Sequence, residues 1–132
     1  MKRIVLLLLF VIVGTLAKAQ GRADYDQAMS KVMELYNKSD ADGIKALYKD
    51  ATTIPKEQVL DKEKLKDLKG KYGEMSNFKY IGDNNENPAN LYKVEFTKST
   101  EVMGLYIDNE GKVLSLRFEK PSPKTERLMR AN

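Results

Sequence analysis

The sequence predicts an α+β domain: two to three amino-terminal helices packed on a four-stranded antiparallel meander. Three observations carry that expectation. Apolar residues between Tyr25 and Tyr72 recur at three- and four-residue spacing, and from Ser76 the period drops to two. Thr100 to Lys120, TEVMGLYIDNEGKVLSLRFEK, then reads as two alternating strands folded back through Asp108-Asn109-Glu110-Gly111. An isolated hairpin is marginal in water, so its apolar face requires cover from further strands and from the upstream helices.

The amino terminus sets the composition to be counted. Met1-Lys2-Arg3, the 13-residue apolar run Ile4 to Leu16 and Ala17-Lys18-Ala19 have the layout of a secretory signal peptide over residues 1–19, with cleavage expected after Ala19. The run is shorter than the roughly 20 residues that span a bilayer, so no stable membrane span is expected after cleavage. Lys2, Arg3 and Lys18 leave with it, taking three of the four net positive charges and leaving 20 basic against 19 acidic residues. A surplus of +1 argues against a nucleic-acid partner, because such a protein must neutralise several phosphates. Removing 19 residues from 132 leaves 113, one domain with one core.

That mature chain is expected to be exported, to the periplasm or outside the cell. It has no cysteine, so it can carry neither a disulfide nor the lipid anchor of a bacterial lipoprotein. It has no histidine either, which removes imidazole-activated nucleophiles, acid/base work near neutral pH and the commonest zinc ligand.

Asp24 is a candidate cap for the first helix, with Gln27 able to reach back to it and Tyr25, Ala28, Met29, Val32, Met33 and Tyr36 on its apolar stripe. Ser39 with Asp42 signals a second start, and Ile44, Leu47 and Tyr48 give about two turns. Asp61 is the expected cap of a third helix ending at Gly73, with Leu65, Leu68 and Tyr72 on its buried stripe. Lys62, Lys64, Lys66, Lys69 and Lys71 crowd its other faces. They read as a solvated surface with i,i+4 ion pairs rather than as a phosphate or membrane site.

Phe78 and Tyr80 open the sheet on one face, with Lys79 and Ile81 on the other. Gly82 to Asn90 is turn chemistry. In the next strand Tyr92, Val94 and Phe96 face the core while Lys93, Glu95 and Thr97 face out. In the hairpin Met103, Leu105 and Ile107 are expected inside, as are Leu114, Leu116 and Phe118, alternating with Val113, Ser115 and Arg117. Its turn suits a type I turn closed by a left-handed Gly111. The domain is expected to span residues 20–120. From Pro121 the tail, residues 121–132, begins with two prolines and is expected to stop the sheet, leaving a loosely held or short helical end.

The order of Lys45-Ala46-Leu47-Tyr48, Leu65-x-x-Leu68-x-x-x-Tyr72-Gly73, Phe78-x-Tyr80-Ile81-Gly82, Tyr92-Lys93-Val94-Glu95-Phe96 and Leu105-Tyr106-Ile107-Asp108-Asn109-Glu110-Gly111-Lys112-Val113 resembles a known pattern. It is similar to the small exported cystatin-like domains of the nuclear-transport-factor-two-like superfamily, bacterial domains found alone or attached to secreted serine hydrolases. The resemblance covers most of the mature chain and implies a curved four-stranded antiparallel sheet wrapped against helices, a cone-shaped interior, frequent dimerisation and no established activity. Catalytic members of the wider superfamily use Asp, His or Tyr inside the cone. This chain has no His, so no catalytic residue is carried over.

Two surfaces are candidates for binding. Tyr36, Tyr80, Tyr92, Phe96 and Phe118 fall on faces expected to point into the cone, where they would hold a small apolar ligand or simply form the core. Ile81, Val102, Tyr106 and Val113 are apolar positions on the outer face, a surface for a homodimer or an exported protein partner. Glu95 and Arg117 read as a cross-strand surface pair. Asp83-Asn84-Asn85-Glu86-Asn87 begins like a calcium loop but places Pro88 and Val94 where Gly and Glu are needed, so neither metal nor other cofactor is expected. No strand carries an inward Asp or Glu, and no polar cluster converges. The function expected is a non-enzymatic binding or interaction domain. The alternatives are a cone-fold enzyme using Tyr with Asp or Glu, or a structural accessory to an exported hydrolase.

Overall fold

The computed structural model describes residues 21–84 and 89–132; the expected signal peptide and residues 85–88 lie outside them, and the rest of the expected Gly82 to Asn90 turn is strand instead, Gly82, Asp83 and Asn84 pairing with Leu91, Asn90 and Ala89. The chain is α+β. Helices α1 (Arg22–Asn37) and α2 (Ala41–Leu47) come first, then single 3-10 turns at Ala51–Thr53 and Lys56–Gln58, then α3 (Lys62–Tyr72). Strands β1 (Met75–Asn84), β2 (Ala89–Phe96), β3 (Thr100–Ile107) and β4 (Val113–Phe118) form one antiparallel sheet in sequence order, and α4 (Pro123–Ala131) closes the chain.

Helix starts and stops follow local chemistry. Gly21 precedes α1 with no side-chain cap, and Tyr25 N–H donates to Gly21 O at 3.1 Å, so Asp24 lies within the first turn instead of capping it. At the other end Ser39 adopts a left-handed φ of 57°, and Ser39 N–H and Asp40 N–H bond back to Tyr36 O and Leu35 O. That turn consumes Ser39, so Asp40 becomes the cap of α2, its carboxylate accepting from Gly43 N–H at 2.8 Å. α3 starts and stops where expected. Asp61 accepts from Lys64 N–H at 2.8 Å, and Gly73 ends the helix at φ 85°. Within α3, Gly70 is exposed with open space around its missing Cβ. Gly70→Ala is expected to raise the unfolding free energy by about 0.5–1 kcal/mol in urea titrations.

The hairpin turn is built as its sequence implies. Gly111 sits at φ 80°, Gly111 N–H donates to Asp108 O at 3.0 Å, and Asp108 Oδ1 accepts from Glu110 and Lys112 N–H, each at 2.9 Å. Chiefly the Lys112 N–H holds the Asp108 carboxyl below its usual range. Past the turn the alternation departs from expectation. Tyr106 pairs with Ser115 and Ile107 with Val113, so Leu114 bulges out of register, 38 % exposed, while Val113 turns into the core.

The main core lies between the helices and one face of the sheet. Met29, Val32 and Tyr36 of α1, Ile44 of α2 and Leu65 of α3 meet Tyr92, Val94, Phe96, Met103, Leu105 and Leu116 there. A second cluster occupies the opposite face, where Ile81, Leu91 and Val102 are covered by Leu128 and Met129 of α4. The tail is therefore an ordered helix, more firmly placed than the prolines suggest. Pro123 serves at its first turn and Ser122 forms a reciprocal cap with Thr125, so the prolines end the sheet and start a helix.

Both sheet edges receive local cover. Asn37 acts as a substitute strand residue at β1, donating to Met75 O and accepting from Met75 N–H at 2.9 Å each. Along β4, Lys49 N–H donates to Val113 O at 3.0 Å and Gln58 Oε1 accepts from Leu116 N–H at 3.1 Å.

Candidate functional site

The five aromatic candidates divide into two groups. Tyr36, Phe96 and Phe118 stack in a ladder with Tyr72: Tyr36 meets Phe96 edge-on at 5.6 Å, and Phe118 lies 5.2 Å from Tyr72 and 6.0 Å from Phe96. Tyr80 and Tyr92 sit apart from them, 6.0 Å from each other. Tyr36, Tyr92 and Phe96 are buried, and Tyr80 and Phe118 half-buried. The buried hydroxyls are spent inside the fold. Tyr36 donates to Gly73 O at 2.8 Å, and Tyr92 donates to Asp26 Oδ1 at 2.7 Å.

Around Tyr92 lies a polar cluster that contradicts the expectation of none. Arg22 Nη2 donates to the Tyr92 hydroxyl at 2.8 Å, and Arg22 Nε lies 3.4 Å from Asp26 Oδ1. The guanidinium stacks 3.5 Å over the Tyr80 ring, whose hydroxyl donates to Asp83 at 2.6 Å. Of the cluster's two carboxylates, Asp26 comes from α1, one turn beyond Arg22, and Asp83 is an exposed residue of β1. Burial first, and then the Asp26 carboxylate, push the Tyr92 hydroxyl well above its ordinary range, which keeps it protonated. It holds the start of α1 on the sheet.

Burial also pushes Tyr36 and Tyr48 up to about 12. The Tyr48 hydroxyl is buried without a hydrogen-bond partner. Unfolded tyrosine titrates near 10.0, so above that pH the unfolded chain loses protons that the native chain retains. Stability from these groups is complete below about pH 10 and falls between about pH 10 and 12. The urea midpoint at about pH 11 is expected to lie well below its neutral value, with tyrosinate absorbance appearing together with unfolding.

The four outer-face candidates do not share a surface. Ile81 and Val102 are buried beneath α4, Val113 lies in the main core because of the Leu114 bulge, and Tyr106 is half-buried. Glu95 and Arg117 also stand apart. β3 separates their strands, and Arg117 pairs instead with Glu119 at 3.1 Å. The lysines of α3 reach outwards: Lys69 lies 3.2 Å from Glu74 and donates to Asn37 O, while Lys64 donates to Glu57 O. Among the described residues α3 contains no internal ion pair.

A cleft of about 950 Å³ opens at the β4 edge. One wall is Glu57, Gln58 and Leu60 with Lys64 and Leu68 of α3; Met103, Leu116 and Phe118 line the sheet side. The other wall runs from Glu119 and Lys120 to Thr125 and Arg127 of α4. Phe118 is the member of the aromatic set that reaches it. Of its charges, Arg117 and Glu119 neutralise each other, and among the described residues Lys120, Lys124 and Arg127 have no ion-pair partner. The cleft is apolar inside and cationic at its rim.

Sequence reasoning named Leu68 and Phe118 as inward positions but did not place them around an opening. The missing wall is α4, whose signal was the recurrence of Thr125, Leu128, Met129 and Asn132 at helical spacing. Among the described residues no group of acidic side chains is placed to hold a metal ion, and no helix is long and apolar enough to cross a membrane. Asn85 to Asn87 of the calcium-like stretch lie outside the described residues. Fold and cleft together define a small α+β domain with a helix-walled opening at one sheet edge. No protein-family model matches the chain, and no curated protein or solved structure does so either.

Proposed function

We propose that the chain is an exported, non-enzymatic binding domain of the small cystatin-like kind, released to the periplasm or outside the cell, with its ligand in the cleft beside β4. The observation that carries this reading is the cleft itself. At about 950 Å³ it has the size of a small-molecule site, and its walls come from four separate parts of the chain. The amino-terminal leader supports export, and helices followed by a four-stranded meander fit the cystatin-like resemblance.

The enzymatic alternative rests on Tyr92 with Asp26. A hydroxyl whose pKa is raised so far gives up its proton poorly near neutrality, and none of Arg22, Asp26, Tyr80 and Tyr92 lines the cleft. The homodimer and accessory readings need an apolar face. Ile81 and Val102 are occupied by α4, and Leu114 is the exposed large hydrophobic side chain among the described residues, so the cleft is the better-supported surface.

Native mass spectrometry of the mature protein purified from its own host tests the reading. The expected result is a one-to-one small-molecule adduct on a monomer. Its removal should speed amide exchange in residues 57–68 and 116–127. A bare monomer whose exchange in those segments responds to no extract from the host would overturn it.

A further inference from the structure

Resting on that reading, we infer that the cleft ligand is a single-chain anionic amphiphile, an alkyl tail ending in a carboxylate or a similarly compact anion. The argument has two halves, one for the tail and one for the head.

The tail follows from what lines the interior. Leu60, Leu68, Leu91, Met103 and Leu116 are aliphatic, and Phe118 is already stacked on Tyr72 at 5.2 Å. A flat ligand would find no free ring to stack on. Flexible side chains such as Met and Leu conform to a bent alkyl chain, and each buried methylene strengthens binding about threefold to fourfold.

The head follows from the charge at the rim. Lys64, Lys120, Lys124 and Arg127 stand there against Glu57, since Glu119 is paired with Arg117. Five cations against two carboxylates in the lining give this opening a local surplus of three positive charges, against one for residues 20–132 as a whole. Lys120, Lys124 and Arg127 lack carboxylate partners, so an anion placed among them displaces no existing ion pair. A cationic or neutral head would leave that field unanswered. A acidic peptide could answer it too, but its backbone amides would need partners along the aliphatic floor.

Calorimetric titration of the mature protein separates these occupants, with probes kept below their micellar concentrations. Dodecanoate is expected to bind at one per chain, more than tenfold tighter than octanoate, and dodecyltrimethylammonium to bind at least tenfold more weakly than dodecanoate. The double variant Lys124→Glu, Arg127→Glu is expected to lose at least tenfold in dodecanoate affinity. Both positions face solvent enough that its thermal unfolding should stay unchanged, and Leu68→Arg should abolish binding through the tail half of the site. Equal binding of the anionic and cationic probes, tighter binding of an acidic Leu-Glu peptide, or indifference to the charge reversal would overturn the inference. If dodecanoate fails while a host-derived adduct still protects residues 57–68 and 116–127 from exchange, the amphiphile is wrong and the binding cleft stands. If nothing protects those segments, both fall.

Discussion

Tyr36→Ala is expected to destabilise the protein by about 3–5 kcal/mol, the range for emptying a fully buried aromatic site. The side chain is 1 % exposed, touches Phe96 edge-on at 5.6 Å and gives its hydroxyl proton to Gly73 O at 2.8 Å. Collapse around the void is hindered, because the Gly73 backbone is held in place from both sides. Gly73 N–H bonds to Lys69 O, and a Cβ on Gly73 would run into the Thr97 hydroxyl, so the α3-to-β1 corner has no room to move. Tyr36→Phe isolates the hydrogen bond. It keeps the ring, leaves the Gly73 carbonyl unpaired and should cost about 1 kcal/mol. The same variant removes one of the groups whose native pKa is raised, so its stability should fall less steeply than that of the parent between about pH 10 and 12. Equal losses for the two substitutions in urea titrations would show that ring burial is not what holds this corner.

Features that depend on neighbours in sequence were legible. The Asp61 cap, the Gly73 stop, the alternation of Tyr92, Val94 and Phe96 and the left-handed Gly111 each need only a few adjacent residues, and each is present. The helices-then-meander order followed from those pieces. Where the expectation failed, a distant partner decided the outcome. Ile81 and Val102 look like open positions on a half-buried sheet, and only the arrival of Leu128 and Met129 makes them interior. Val113 and Leu114 are both apolar, so periodicity alone cannot say which one the bulge sends inward. Arg22 and Asp26 read as ordinary polar residues at a helix start; their meaning comes from Tyr92 and Tyr80 on the sheet. The cleft was the least legible part, since α3, the Glu57-to-Leu60 segment, the sheet and α4 each contribute part of its lining and none carries a motif.

Ending the chain after Lys120 is expected to make the protein self-associate. Without α4, Ile81, Leu91 and Val102, now between 1 % and 5 % exposed, would form an apolar strip across β1, β2 and β3. If each gives up about half of the roughly 1.5–3 kcal/mol that burying such a side chain contributes, the monomer loses about 3 kcal/mol. Pairing that strip with a second copy would recover part of the loss. Sedimentation velocity should then show concentration-dependent growth absent from the full mature chain. A milder variant separates the covering role of α4 from its other effects. Leu128→Lys places a charge where Leu128 covers Ile81, Leu91 and Val102, beside Gly82, whose φ of 149° disfavours a side chain and where an added Cβ would come within 3.3 Å of Leu128. It should loosen the helix while retaining Ser122 and its cap, lowering stability by about 1–2 kcal/mol. The truncation also removes the Lys124 and Arg127 wall of the cleft, so ligand binding should vanish with it, whereas Leu128→Lys should weaken binding only to the extent that α4 leaves the sheet. A truncated chain that stays monomeric and as stable as the parent would mean that α4 contributes nothing to the outer face, and the wall it gives the cleft would lose its physical basis.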